Sequence, residues 1–357
     1  MLAFKYISQH YLKYFFIILS ALVLFLVGFD YMGSAKELSS SANLLLIYLV
    51  YKSFYAVDML LPLALVFAMI STKIFLIRSN ALVSFFSLGY SRVDVLRPFV
   101  IVSTLIIMLF ISLHSWSKFA RADEFANNIK SNAQYLSSTR DLFFAYQGKF
   151  VYFSELLPLL EKAEGIRVFT VERDSLKEVL VASSATYSQG YWNIKSADII
   201  DKPAELTLDS LGIKVTQSKD LKILEGFRPK MLDQVYEGKV NFTIIDAVDA
   251  ILLLDGQNIN ISSIKGALYK IFVYPFFVPC LIVIIFFFVP ISVRFLNVSL
   301  FSFGAILATL LTWGILYMLI ELSNNKTISS EIGVVLPVVL LFFIALRQWF
   351  KYRHATA

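Results

Sequence analysis

The sequence is poor in the residues that most catalytic and metal sites require. Its 357 residues include one cysteine, Cys280, and three histidines, His10, His114 and His354. A single cysteine excludes an intramolecular disulfide, and no G-x-x-x-x-G-K-[ST] phosphate loop occurs, which excludes P-loop binding of ATP. The histidines are far apart in sequence, and no carboxylate lies beside His114. We therefore expect no enzyme activity, no metal site and no cofactor.

Charged residues are also scarce, at 16%, whereas hydrophobic residues reach 58% and include 33 phenylalanines. Such a composition exceeds that of soluble domains and predicts a membrane protein. A helix needs about 20 apolar residues to cross a bilayer. Lys73, inside the second of six candidate runs, is expected to snorkel to the headgroups, or else to be a buried functional charge. The runs cover residues 12–29, 59–77, 99–113, 271–289, 300–322 and 332–346.

The distribution of basic residues predicts the orientation of these spans. Cytoplasmic loops carry the excess of Lys and Arg, and with six spans every basic short segment falls on one side. We therefore expect cytoplasmic termini and a large insert on the outer side of the membrane. The same asymmetry explains the net charge of +6, so the basic balance does not predict nucleic-acid binding. The residues concerned are Lys5, Lys13, Arg78, Arg92, Arg97, Arg294, Arg347, Lys351 and Arg353.

The insert differs from the rest of the chain in its hydrophobic pattern. Short alternating runs rich in β-branched and aromatic residues, separated by turns such as Gln189-Gly190, predict an all-β sandwich or jelly roll. The insert contains no His or Cys, which excludes a nitrogen or sulfur metal site there. We predict three parts: spans 1–3 with a loop at 78–98 (residues 1–115), a periplasmic β-rich domain with helical linkers (116–266), and spans 4–6 (267–357).

The loop at 78–98 has the pattern of a short amphipathic helix. Ser79 or Asn80 is suited to cap it, and Gly89 is suited to end it. The apolar residues fall on one stripe at helical spacing. Two interpretations are open: a surface helix anchored in the headgroups, or a helix that docks on a cytoplasmic partner. The stripe is formed by Leu82, Phe85 and Phe86.

Several motifs in order resemble the LptF/LptG (YjgP/YjgQ) family of lipopolysaccharide export permeases. They are an N-terminal Lys-Tyr-Ile, the Leu60-Leu-Pro-Leu-Ala-Leu65 segment, the loop from Arg78-Ser79 to Gly89-Tyr90-Ser91, a β-rich insert and three further spans. The similarity extends over nearly the whole chain. The family pattern at the loop resembles Arg-Ser-Glu, whereas this chain has Arg78-Ser79-Asn80 and so lacks that carboxylate.

The resemblance implies a function and partners. It implies six spans (3+3) in the bacterial inner membrane with an inserted periplasmic jellyroll-like domain. Such a chain is the permease subunit of an ABC transporter that extracts lipopolysaccharide from that membrane and passes it on for export to the outer membrane. The implied partners are a cytoplasmic LptB-like ATPase dimer, a second, LptF-like permease, and periplasmic LptC/LptA-like bridge proteins. The resemblance also implies that the loop is the ATPase-coupling helix. Its implied site residues are Arg78, Asn80, Leu82, Phe85, Phe86 and Gly89.

The insert and the residues after span 1 refine this interpretation. Segments 150–153 and 165–169 with Trp192 look more like LptG than LptF. Lys36, just beyond span 1, is a candidate contact for an anionic lipid headgroup, or else an interfacial lysine that snorkels. The alternative function is an envelope-sensing or structural membrane protein without transport activity. The absence of a cytoplasmic output domain speaks against a sensor.

Overall fold

The structure is a computed structural model in which the chain forms two compact units. One unit comprises residues 1–130, 241–247 and 262–357, and the other comprises residues 131–240 and 248–261. The first is helical and the second is a β-sheet domain. The residues described are 2–35, 42–130, 139–146, 148–157, 161–172, 175–203, 212–227, 243–245, 247–248, 251, 262–288, 298–325 and 327–354.

Six helical segments of the first unit are long and apolar enough to cross a membrane, which confirms the six predicted spans. Each extends beyond its apolar run at one end or both, because polar and aromatic residues of the interface continue the helix. Spans 2, 3 and 4 form the buried centre, and spans 1, 5 and 6 are largely exposed. Spans 1 to 6 are Leu2–Ser34, Ala42–Arg78, Arg92–Leu113, Ile264–Phe287, Val298–Asn324 and Glu331–Tyr352.

The prolines affect these helices differently. Pro62 lies inside the unbroken helix of span 2. Pro275, by contrast, interrupts span 4, because a 3₁₀ turn at Tyr274–Phe276 separates its two helices. The helices are α1 (Leu2–Ser34), α2 (Ala42–Arg78), α3 (Ala81–Ser87), α4 (Arg92–Leu113), α5 (Ser117–Ala120), α6 (Ala122–Lys130), α7 (Ser262–Phe272), α8 (Phe277–Phe287), α9 (Val298–Asn324) and α10 (Leu336–His354).

The β unit confirms the predicted all-β insert. Its described strands form one antiparallel sheet in which each strand pairs with the next along the chain. The predicted turn at Gln189-Gly190 joins β4 to β5, and both residues have positive φ (55° and 87°), as a type I′ hairpin turn requires. The strands are β1 (Thr139–Tyr146), β2 (Lys149–Leu157), β3 (Lys162–Glu172), β4 (Ser175–Ser188), β5 (Tyr191–Asp201) and β6 (Lys214–Ile223).

One face of the sheet carries the core of this unit. Alternate side chains of the strands cluster there, with Phe153 and Trp192 fully buried. The segment after β6 turns back over this face, so that Phe227 stacks on Phe144 at 4.8 Å between ring centroids. The Trp192 indole donates to the Phe227 carbonyl at 2.9 Å. The sheet therefore has a cover supplied by its own C-terminal segment.

Candidate functional site

Helix α3 lies in the predicted loop between spans 2 and 3, and we call this end of the helical unit the loop end. Asn80 occupies the N-cap position, as predicted, but its side chain caps no backbone N–H. Its backbone is left-handed (φ 56°), a conformation that Asn tolerates better than most residues. Ser79 donates instead to the Phe75 carbonyl at 2.8 Å. The predicted capping mechanism is therefore wrong, although the helix begins where predicted.

Gly89 ends α3, as predicted, through a Schellman motif. Gly89 has a φ of 86°, and its N–H donates to the Phe86 carbonyl at 3.0 Å. The N–H of Tyr90 donates to the Phe85 carbonyl at 3.1 Å, and the two aromatic rings meet edge to face at 6.0 Å. These bonds and the accompanying apolar contact define the motif. The end of α3 is thus fixed by both backbone and side chain.

Span 3 starts directly afterwards with a capping box that the sequence reading missed. The Asp94 N–H donates to Ser91 Oγ at 3.1 Å, and the Ser91 N–H donates to the Asp94 carboxylate at 3.0 Å. Asp94 also pairs with Arg97 at 2.9 Å. The box satisfies two backbone donors at once and fixes the start of the helix. Little unrestrained chain therefore separates α3 from span 3.

The apolar stripe of α3 faces the protein. Leu82 is 2% exposed and belongs to the helical core, and Phe85 packs edge to face on Tyr6 of α1 at 6.1 Å. The side chains that reach outward are Val83, 41% exposed, and Leu88, 74% exposed. Arg78, Asn80 and Gly89 are exposed as well. The predicted residues thus divide into an inward anchor and an outer surface, and the sequence reading missed Val83 and Leu88.

Lys73 connects the two halves of the helical unit near the loop end. It is 2% exposed, and its ammonium group donates to the Phe286 carbonyl in the last turn of α8. The same ammonium lies 3.7 Å from the centroid of the Phe286 ring. The expectation that Lys73 snorkels is therefore wrong, because its ammonium group is buried against the last turn of α8 and bonds a carbonyl there. This contact joins span 2 to span 4.

A second charged group lies at the opposite end of the helical unit, which we call the insert end. Lys52 of α2 pairs with Asp30 of α1 at 3.4 Å and with Asp123 of α6 at 3.2 Å. The Tyr48 hydroxyl also donates to Asp30. Two carboxylates around one lysine leave Lys52 neutralised. Lys36, the predicted headgroup contact, lies outside the described residues.

Asp58 and His114 form a further pair at the insert end. His114 Nε2 lies 2.9 Å from Asp58 Oδ1, and Nδ1 lies 3.1 Å from the Phe110 carbonyl. Both neighbours are acceptors when the carboxylate is ionised, so each ring nitrogen has an acceptor within hydrogen-bonding distance. The N–H of Ile244 donates to the His114 carbonyl at 3.3 Å. His114 thus ties span 2 to span 3 and to the chain that returns from the insert.

These groups show what the site offers chemically. No cluster of three His, Cys, Asp or Glu residues that could hold a metal ion occurs among the described residues. The charged side chains join helices to one another, and α3 presents a small apolar surface beside span ends. Such an arrangement is typical of a membrane protein that binds partners.

A comparison with known protein families assigns this chain to one of them. The family model described as "Lipopolysaccharide export system permease LptF/LptG" matches residues 5–351. The chain belongs to the LptF/LptG family. This LptF/LptG chain is therefore a multi-pass inner-membrane permease subunit of lipopolysaccharide export. No curated protein matches it in a comparison of whole sequences.

Proposed function

We propose that this LptF/LptG chain is one of two permease subunits of an ABC transporter that extracts lipopolysaccharide from the inner membrane. A cytoplasmic ATPase dimer supplies the energy, since the chain has no phosphate loop, and a periplasmic bridge receives the lipid. The observation that carries this proposal is the family match over residues 5–351. Closing of the ATPase on ATP pulls on α3, rocks the two helix bundles and narrows the cavity between the permeases.

The outer surface of α3 supports ATPase docking. Val83 and Leu88 expose apolar side chains, as a helix that lies in a partner's groove requires. Leu82, on the opposite side of α3, is anchored in the helical core, so that a force on α3 reaches span 2. The Schellman motif at Gly89 and the capping box at Ser91 also restrain the connection from α3 to span 3.

Site-specific photocrosslinking tests this docking. A photoreactive phenylalanine analogue placed at Val83 or Leu88 should crosslink to the ATPase, and Phe85, which is half-buried, should crosslink more weakly. The matched control is the buried position Leu82, which should give no ATPase product. Crosslinks to lipid alone from Val83 and Leu88 would support the headgroup-anchored helix and contradict docking.

The exposed faces of spans 1 and 5 support pairing with a second permease. These are among the least buried spans, and they carry large exposed side chains such as Phe25 and Leu311. Span 5 also exposes Gly304 and Ala308, one turn apart, and small residues in this spacing allow close helix packing. Cysteine pairs between spans 1 and 5 of the two permeases should therefore form disulfides.

The proposed orientation places the loop end in the cytoplasm and the β insert in the periplasm. Its test is labelling of single cysteines, in a Cys280→Ser background, by a maleimide that does not cross the inner membrane. A cysteine at Ser84 should react only after the cells are opened. A cysteine at Ser188, beside the β4–β5 turn, should react in spheroplasts. The reverse pattern would invert the topology.

The path of the lipid begins at Lys36 and leads into the β domain. Lys36 is the candidate cation for the lipid headgroup, because Lys52 is already paired with two carboxylates. Replacing Lys36 by Glu should impair export, whereas Lys36→Arg should preserve it. If both variants export lipopolysaccharide as well as the unchanged chain does, Lys36 is not on the path.

The β sheet supports the transfer to bridge proteins. Its first and last strands, β1 and β6, each pair with one described strand, and such edges are suited to strand addition by another chain. The LptG role rests on segments 150–153 and 165–169 and on Trp192. Complementation of strains that lack either permease tests that role, and rescue of the LptF-deficient strain alone would contradict it.

A further inference from the structure

A cavity of about 660 Å³ lies in the helical unit among spans 3, 4 and 6. Among its lining residues, only Thr104, Cys280 and Trp349 have side chains with a polar or sulfur atom. Val339 and Phe342, which lie on its span 6 wall, are well exposed. The cavity is therefore a groove that is open on the surface that faces the lipid.

The length of the groove matches one leaflet of a bilayer. On α10 its wall extends from Val338 to Trp349, which corresponds to roughly 16 Å at about 1.5 Å per residue. Half of the hydrocarbon core of a bilayer is about 15 Å thick. Trp349 lies toward the loop end of α10, and indole rings prefer the membrane interface. The groove thus covers the leaflet at the loop end.

Basic side chains surround the loop end of the groove. Arg97 precedes the lining residue Val100 by one helical turn and is well exposed. Tyr352 follows Trp349 by one turn, and its ring centroid lies 5.9 Å from the Arg92 guanidinium carbon and 5.8 Å from Lys351 Nζ. Asp94, which pairs with Arg97, is the carboxylate among these groups. Three cations and one carboxylate leave a positive rim that attracts anionic headgroups.

The dimensions favour hydrocarbon chains over a helix. Dividing the volume by the length gives a mean cross-section of about 40 Å². Chains with carbon–carbon contacts of about 4 Å need roughly 20 Å² each, so the groove accommodates one or two. A helix about 10 Å in diameter has a cross-section of about 80 Å², so it would lie only partly inside the groove. The groove is also lined by bulky side chains such as Phe276, whereas close packing of two helices prefers small residues.

We propose that this groove binds the acyl chains of one anionic glycerophospholipid from the leaflet at the loop end, with its phosphate among Arg92, Arg97 and Lys351. The bound lipid fills the space between span 3 of the first half and spans 4 and 6 of the second. It thus contributes contacts between the two halves that the side chains do not make themselves.

Photolabelling of the wild-type chain provides the first test. The full chain is reconstituted in phosphatidylcholine vesicles with a trace of phosphatidylglycerol that carries a diazirine at the end of one acyl chain. Labelling should concentrate on the peptides of spans 3, 4 and 6 that line the groove, and unlabelled phosphatidylglycerol should compete more than fivefold better than phosphatidylcholine. Uniform labelling of all exposed spans would overturn the proposal.

Two variants with matched controls test the groove and its rim. Val339→Trp fills the groove, whereas Leu340→Trp places the same bulk on a neighbouring exposed position outside it. Native mass spectrometry should find one phosphatidylglycerol per wild-type chain, at least a fivefold loss in Val339→Trp, and retention in Leu340→Trp. Arg97→Gln with Lys351→Gln should abolish the preference for phosphatidylglycerol, and Lys5→Gln, an exposed position on α1 away from the groove, should not. Equal retention in both Trp variants, or recovery of lipopolysaccharide or a protein helix in the groove, would refute the proposal.

Discussion

Gly89→Ala is the substitution whose effect follows most directly from the structure. A Cβ added at Gly89 would meet no atom within 4 Å, so the cost arises only from the positive φ of 86°. A left-handed conformation costs an L-residue about 1–2 kcal/mol. The Schellman motif, in which the N–H groups of Gly89 and Tyr90 close the end of α3, should lose that stability. A loss of this size raises the population of the open motif roughly 5- to 30-fold.

Hydrogen exchange of the purified full-length chain measures this opening directly. The amides of Gly89 and Tyr90 should exchange roughly 5- to 30-fold faster in Gly89→Ala, because local opening controls their exchange. Gly89→Asn should stay close to the wild type, since Asn tolerates positive φ. The control is Gly28→Ala, where a Cβ also meets nothing within 4 Å but φ is helical. That substitution should leave both amides unchanged and favour its own helix by about 1 kcal/mol.

Two results would refute this reasoning. Unchanged exchange at Gly89 and Tyr90 in Gly89→Ala would mean that the Schellman bonds do not hold the end of α3. Equal acceleration in Gly89→Asn and Gly89→Ala would mean that side-chain bulk, and not backbone conformation, is responsible. In the assembled transporter, Gly89→Ala should lower the amount of lipid exported per ATP hydrolysed more than it lowers the rate of ATP hydrolysis.

Three further predictions concern other parts of the chain. Lys52→Met should lower the stability of the helical unit by about 1 kcal/mol, because it leaves the partly exposed carboxylates of Asp30 and Asp123 without their cation, and Asp123→Asn should cost less; thermal unfolding in detergent compares them. Ser91→Ala should cost about 1 kcal/mol and speed exchange at the start of span 3, whereas Ser91→Thr, which keeps the hydroxyl that bonds Asp94, should preserve the cap. Phe227→Ala should destabilise the β unit by about 3 kcal/mol and expose it to limited proteolysis, and an unchanged cleavage rate would contradict its role as the cover of the sheet.

Local patterns in the sequence predicted much of the fold. Apolar runs identified all six spans, and the Gln189-Gly190 turn identified the β4–β5 hairpin, because both signals lie within a few adjacent residues. Span ends were predicted poorly, since the helix of span 1 extends through polar residues such as Lys5 and Gln9, which precede the predicted run. Strand β1 (Thr139–Tyr146) was missed, and β6 is mostly exposed, so alternation along it is weak.

The contacts that matter most for the candidate site were beyond reach of sequence patterns. Asp58 and His114 are 56 positions apart, and Lys73 and Phe286 are 213 positions apart, so no local period relates them. The direction of the α3 stripe was likewise undetermined, because the same stripe suits a partner, a lipid surface or the protein's own core. Only the packing of Leu82 against the bundle decides among these.

The hydrogen bond between Ile244 and His114 has a consequence for how this family diversifies. Span 3 ends beside His114 and the chain is back beside the same residue at Ile244, so α5, α6 and the β insert together form an excursion between two neighbouring points of the helical unit. Closing such an excursion costs entropy that grows only slowly with its length. Inserts of different size or specificity could therefore be exchanged at this point by recombination between homologous genes, while the spans and the loop at 78–98 remain as they are.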